Sequence, residues 1–233
     1  MRGVPLGGGA LDHRRVIPAV GAAVLDALAV LLPVDCAGCG QPDRSLCGTC
    51  REAMRPAVVQ AVLADGTIVY SGLAYRGRAR RVILAFKEEG RTGLAATLAV
   101  ALSASVVAAV AAADRAAPGA DLELCVVPSS RSALRRRGYV PVRMLLARAG
   151  LRAAPVFAAA RPHRAQKSLS VDERRSNLDG AFRLRRSVVG RRFVLVDDVV
   201  TTGATLLEAA RTLREGGAEV VAAVTVATTP RRF

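Results

Sequence analysis

Two carboxylates stand side by side at the end of an apolar run in VLVDDVVTTGAT: Asp197 and Asp198, followed by Val199, Val200, Thr201, Thr202, Gly203, Ala204 and Thr205. Gly203 permits close approach of a ligand to the backbone, and a helix pattern opens directly after it. The first amides of such a helix have no intrahelical acceptor, and its dipole favours negative charge there. With three threonine hydroxyls added, the loop suits a phosphate monoester. The acids upstream would repel that phosphate, so they must serve another part of the same ligand. Vicinal sugar hydroxyls, each donating to a carboxylate, resolve the conflict, and a magnesium ion bridging nearby oxygens would assist. A pentose with its 5-phosphate in the loop and its 2- and 3-hydroxyls on Asp197 and Asp198 satisfies every element. The bland reading is a buried strand whose acids cap the next helix. A magnesium-holding ATPase strand is excluded, because the chain has neither a G-x-x-x-x-G-K-[ST] loop nor a G-x-G-x-x-G after a strand.

A second cluster is CAGCGQPDRSLCGTC, with Cys36, Cys39, Cys47 and Cys50 as two C-x2-C pairs separated by seven residues. Each pair can wrap one edge of a tetrahedral ion, and Gly40 suits the tight turn that brings amides to sulfur. Four thiolates without a neighbouring histidine fit a closed, structural zinc site. Two disulfides or a thiol-redox pair are the alternatives; a reducing compartment disfavours the first, and the second lacks a thioredoxin-like context. The fifth cysteine, Cys125, reads as a small buried hydrophobe.

These residues need elements to hold them. Residues 1–15, rich in Gly and Arg, read as a disordered leader. Residues 16–60 comprise an amphipathic helix, with Val20, Val24, Leu28 and Leu31 at helical spacing, and the cysteine module. Asp26 and Pro18 argue against a membrane span in 16–34, and no cleavage-site pattern follows, so a cytoplasmic chain without an integral membrane span is expected. Residues 61–233 form the main domain. TIVYSGLAYRG reads as a hairpin turning at Ser71 and Gly72. RARRVILAFKEEG, the alanine-rich run 93–113 and VPVRMLLARAGL read as helices. LELCVV, FVLVDD and EVVAAVTVAT read as strands, and 204–215 as a helix ending at Gly216-Gly217. Strands alternating with helices imply an α/β fold, a mostly parallel sheet flanked by helices, with ligands at the carboxyl ends of its strands.

VLVDDVVTTGAT resembles the phosphoribosyl-pyrophosphate (PRPP) signature of type I phosphoribosyltransferases. Together with AYRGRARRVILAFKEEGR, VVPSSRSALRRRGY, RPHRAQKSLSVDERRSNLDGAF and the four-cysteine module ahead of them, it makes residues 34–228 similar to the ComF family of competence-associated proteins. The resemblance implies a type I phosphoribosyltransferase-like fold and pentosyl transfer from PRPP with magnesium. It places pyrophosphate on the loop Val127, Pro128, Ser129, Ser130 and Arg131, where the family commonly reads V-P-V-P, and Arg137 beside the leaving group. It puts Gln166, Arg174 and Asn177 in a loop that closes over PRPP, and Lys87 where related chains carry a lysine that reaches a phosphate or nucleic acid; an ordinary surface lysine is the other reading. Asp197, Asp198 and Arg137 are the residues expected to carry the chemistry.

The chain's 233 residues suffice for one medium α/β domain plus a small module, and aromatic residues make up only 3%, which argues against a surface built on base stacking. A net charge of +15, nearly all arginine with Lys87 and Lys167 the only lysines, suits anionic ligands or nucleic acid, or reflects an arginine-rich composition throughout. Two functions therefore compete: a magnesium-dependent phosphoribosyltransferase with an unidentified acceptor, and a non-catalytic module of DNA uptake that binds single-stranded DNA alongside the competence machinery.

Overall fold

A computed structural model describes residues 34–129, 131–158 and 182–230. The leader, the helix expected before residue 34, Ser130 and the segment carrying Gln166, Arg174 and Asn177 lie outside the described residues.

The elements run α1 (Gly48–Glu52), β1 (Val59–Val62), β2 (Ile68–Ala74), α2 (Gly77–Glu88), a 3-10 turn (Thr92–Leu94), α3 (Ala95–Ala116), β3 (Glu123–Val126), α4 (Arg131–Arg137), α5 (Pro141–Arg148), β4 (Arg192–Val200), α6 (Ala204–Glu215) and β5 (Glu219–Thr228). They build one five-stranded sheet in the order β1-β2-β5-β4-β3. β2, β5, β4 and β3 are parallel, and β1 is an antiparallel edge.

The strands are apolar on both sides because both sides are covered. Along β4, Val194 and Val196 pack with the buried residues of α2, α3, α5 and the cysteine module. Phe193 and Leu195 pack on the other side with Leu206, Ala209, Ala210 and Leu213 of α6 and with Val156, Phe157 and Phe182. α3 is long and apolar enough to cross a membrane by length and composition; here it packs against β2, β5 and α5, with half of its most apolar window buried.

The hairpin forms at a different place from the one the sequence suggests. Ser71 and Gly72 lie inside β2, and the chain reverses at Leu63–Thr67, where Gly66 is left-handed (φ 83°) and the Thr67 amide donates to Asp65. Gly72 answers to close packing instead of a turn. A Cβ on it would lie 2.2 Å from the Ala101 carbonyl oxygen, so α3 crosses the sheet where one strand residue has no side chain. Hydroxyls fill the same contact: Ser71 and Thr225 hydrogen-bond at 2.7 Å, and Ser105 donates to the Thr225 carbonyl at 2.8 Å. Buried hydroxyls are accepted there because each has a partner.

Gly72→Ala should therefore destabilise the protein by about 1–3 kcal/mol or more, since backbone must move to admit the methyl group. Gly93→Ala, which meets nothing within 4 Å, is the matched control and should be near neutral in the same urea titration.

Candidate active site and metal centre

β4 does not stop at the acids. It continues through Val199 and Val200, which pair with Ala227 and Thr228 of β5. β-branched residues favour the pleated backbone, which explains why the strand outruns the expected end. Asp197 and Asp198 thus sit in the last turn of pleat before the loop, both half-buried. The alternation of faces slips just beyond them. Val196 and Val199 join one core cluster, whereas Val200 joins that of Phe193 and Leu195.

The two acids are neutralised differently. Lys87, in the last turn of α2, donates to Asp198 Oδ1 at 2.8 Å and lies 2.8 Å from Oδ2, with both side chains mostly shielded. Asp197 accepts the Asp198 amide at 2.8 Å. Protein surrounds Asp197 on most sides, and this burial, together with the Asp198 charge, pushes its carboxyl up to about 7, against the opposing pull of the Asp198 amide and Lys87. Asp197 is an acid short of donors.

Thr201 and Thr202 are exposed on the loop beyond β4. Gly203 is left-handed (φ 82°) and caps α6, whose first turn carries no acidic residue. The Leu207 amide takes the Gly203 carbonyl at 2.9 Å, and the Ala204 amide has only a long 3.4 Å contact with the Thr202 hydroxyl. The amides at the mouth of α6, including those of Ala204 and Thr205, are thus the ones that a helix leaves for an anion. The hairpin supports this loop from below. Leu63 lies where a Gly203 side chain would have to go, 2.6 Å from an ideal Cβ. Asp65 and Thr67 bind Arg214 at the far end of α6, the latter at 2.8 Å.

The β3 loop lies alongside. The Val127 amide donates to the Val196 carbonyl at 3.0 Å, which holds Pro128 and Ser129 next to the acid-bearing stretch of β4. A cavity of about 270 Å³ opens against Pro128 and Ser129, walled by Phe157, Leu134, Arg143 and Arg185; the acid pair is not among its walls. Arg131 begins α4, and Arg137 ends it. Arg137 is largely enclosed and pairs with Glu88 at 2.5 Å, while its Nε is buried without a partner. Arg136 reaches the same carboxylate at 3.1 Å, and the Tyr139 hydroxyl donates to the Phe86 carbonyl. The two arginines hold the Glu88 carboxyl below its ordinary value despite its burial.

The structure therefore brings Lys87, Asp197, Asp198, Arg137, Pro128, Ser129 and the loop Val199–Thr205 to one end of the sheet. Sequence reasoning missed Glu88, Tyr139 and Leu63. Only Glu88 left a signal, a carboxylate next to Lys87 in FKEEG.

On the cysteine module, the four sulfurs lie within 4.8 Å of one another, with Cys39 exposed and the other three buried. Cys39 and Cys47 are 3.7 Å apart. A tetrahedral ion with bonds of about 2.3 Å sets its sulfurs about 3.8 Å apart, so the donor set fits. The five cysteines are not joined in disulfides. Gly40 is left-handed (φ 80°), and its amide donates to the Cys36 carbonyl at 2.8 Å. Burial works against ionisation of Cys36, but the Cys47, Gly38 and Cys39 amides outweigh it and bring that thiol down to about 6. Burial and the other sulfurs push Cys50 up to about 12. A thiol of that kind ionises readily only against a cation.

Two outcomes follow from these charges. Cys50→Ser should lose a bound divalent ion, read by metal emission after gel filtration, and should lower the Tm by at least about 4 °C, the shift that 1–2 kcal/mol produces in a chain of this size. Asp197 has a folded value above its unfolded one, so its contribution to stability is present at acid pH and lost as pH rises from about 4 toward 7. Asp197→Asn should accordingly raise the Tm of the ligand-free protein by an amount that grows across that window and then levels off; a gain independent of pH would contradict the assignment.

A model of the phosphoribosyl transferase domain matches residues 132–232. DNA utilization protein YhgH of Escherichia coli O157:H7 is 54% identical over 56 residues, covering 24% of this chain and 25% of that protein. Competence protein F of Haemophilus influenzae (strain ATCC 51907 / DSM 11121 / KW20 / Rd) is 46% identical over 59 residues, covering 24% and 26%. The chain thus spans about a quarter of the length of the curated relatives it matches. Among solved structures, an adenine phosphoribosyltransferase aligns over 77% of this chain and 89% of its own, at 15% identity and a TM-score of 0.34. Residues 132–232 thus match a phosphoribosyl transferase domain, and about a quarter of the chain is similar to a DNA utilization protein and a competence protein.

Proposed function

We propose that the chain binds PRPP with magnesium and transfers its phosphoribosyl group to an acceptor nucleophile in the course of DNA uptake. One observation carries the reading: an acid short of hydrogen-bond donors, Asp197, lies just ahead of a left-handed glycine at the mouth of a helix. In this reading the amides of Gly203, Ala204 and Thr205 and the hydroxyls of Thr201, Thr202 and Thr205 take the 5-phosphate. Asp197 and Asp198 accept the ribose hydroxyls, which supplies the donors that Asp197 lacks. Pro128 and Ser129 line the pyrophosphate side, with Arg137 as the cation nearest the leaving group; the roles that the family resemblance implies for Ser130, Gln166, Arg174 and Asn177 fall outside the described residues. The bond from the anomeric carbon to pyrophosphate breaks with its electron pair leaving on oxygen. The acceptor's lone pair forms the new bond and its proton departs. Asp197 and Asp198 are the residues that would help to hold magnesium, which would supply neutralisation of charge on the departing pyrophosphate. The four cysteines would hold zinc as a closed structural site, which their mutually close sulfurs support.

A second reading has its own support in the net charge of +15 and in the names of two relatives, a DNA utilization protein and a competence protein. Here the domain binds single-stranded DNA on an arginine surface, with PRPP as a signal or unused.

Calorimetry separates the two. Mg–PRPP should bind the metal-loaded protein, and the affinity should rise with pH through about 7, because the hydroxyls need the ionised Asp197. Asp197→Asn with Asp198→Asn should abolish binding, and Asp197→Asn alone should remove the pH dependence. Absence of PRPP binding with magnesium would overturn the proposal. DNA affinity that falls steeply with salt and survives the double substitution would support the second reading.

A further inference from the structure

The described helix α2 touches both centres. Its inner face packs on the cysteine loops: Val82, Ile83 and Phe86 share a buried cluster with Cys36, Cys47 and Cys50, and a side chain at Gly38 would meet both Cys50 Sγ and Val82. Two arginines fix the contact. Arg81 Nε donates to the Gly38 carbonyl at 2.6 Å, between the first two cysteines. Arg91, one residue past the left-handed Gly90 that ends α2, donates through Nη2 to the carbonyls of Asp35 at 2.6 Å and Ser45 at 3.1 Å. One guanidinium therefore ties together the approaches to both cysteine pairs. Between these anchors, in the last turn of α2, lie Lys87 and Glu88. Lys87 is on Asp198, and Glu88 is on Arg137.

We propose that Arg91, aided by Arg81, is a positioning residue that makes metal occupancy of the cysteine site set the geometry of the acid pair. Metal fixes the loops on either side of residues 35 and 45, whose carbonyls are the only ones that Arg91 grips among the described residues. Those carbonyls fix the end of α2. The end of α2 places one cation on Asp198 and one anion on Arg137. Without metal the loops lose their common centre, Arg91 loses two acceptors whose spacing the metal had set, and the Lys87–Asp198 contact loosens. Coupling of this kind is reciprocal: a ligand that fixes the acid pair must also tighten the metal. The proposal rests on the reading that the acid pair binds PRPP and that the cysteines hold zinc.

The test has two arms, both on the full chain. In the first, hydrogen exchange is followed without ligand in zinc-loaded wild type, chelator-treated wild type and zinc-loaded Arg91→Ala. Peptides covering 86–94 and 199–206 should exchange faster in the last two samples, while β5 and α3 keep their protection. Unchanged exchange at 199–206 in both overturns the proposal, whether or not PRPP binds. In the second arm, zinc is extracted by a colorimetric chelator with and without Mg–PRPP. Ligand should slow extraction at least about fivefold in wild type, much less in Arg91→Ala, and to an intermediate extent in Arg91→Lys, which keeps a charge but cannot bridge two carbonyls with a planar fork. Equal slowing in wild type and Arg91→Ala overturns the coupling. If calorimetry shows no PRPP binding to wild type, the ligand reading has failed, and the exchange arm alone decides this one.

Discussion

Two adjacent, half-buried carboxylates in a strand covered on both faces cannot both be charged without help, and the way the fold supplies that help organises the molecule. Asp198 receives a lysine at 2.8 Å; Asp197 receives one backbone amide and the unfavourable field of its neighbour. The imbalance is a local cost. It persists because β4 is held by strands on both sides and by core on both faces. A ligand that brings hydroxyl donors to Asp197 removes the cost, so part of its binding energy is the relief of a defect already built into the free protein.

That lysine comes from α2, and α2 is placed by the cysteine module on one side and the sheet on the other. The module is therefore more than an appendage joined by a linker. Its buried sulfurs belong to the same apolar cluster as Val194, Val196 and Val224 of the sheet. The sheet's other face gives the Thr-Gly loop its floor, through Leu63 under Gly203 and Arg214 tied to the hairpin turn. The glycines at 72 and 203 mark two places where the packing leaves no room for a side chain, one against backbone and one against a leucine.

Much of this was legible in the sequence, for identifiable reasons. The acid pair, the Thr-Gly loop and the helix after it are contiguous, so local pattern was enough to place them together where a strand gives way to a helix. The C-x2-C pairs were legible for the same reason. What stayed hidden was contact between distant segments. Lys87 is 111 residues from Asp198, and nothing near it in sequence shows that it points at an acid. Glu88 on Arg137 and Arg91 on Asp35 are of the same kind. The turn was misplaced at Ser71-Gly72 because small residues signal both reversals and close packing, and only the position of α3 tells them apart. The end of β4 was set too early because charge was read as a strand terminator, whereas pairing with β5 carries the strand two valines further.

The central claim is that Asp197 is starved of donors until a sugar supplies them. Carbon-13 NMR of the aspartate carboxyls, titrated with pH in free and Mg–PRPP-bound protein, tests it directly. The account predicts that Asp197 titrates near 7 when free and falls well below that when bound. An ordinary carboxylate midpoint in the free protein, unchanged by ligand, would contradict it.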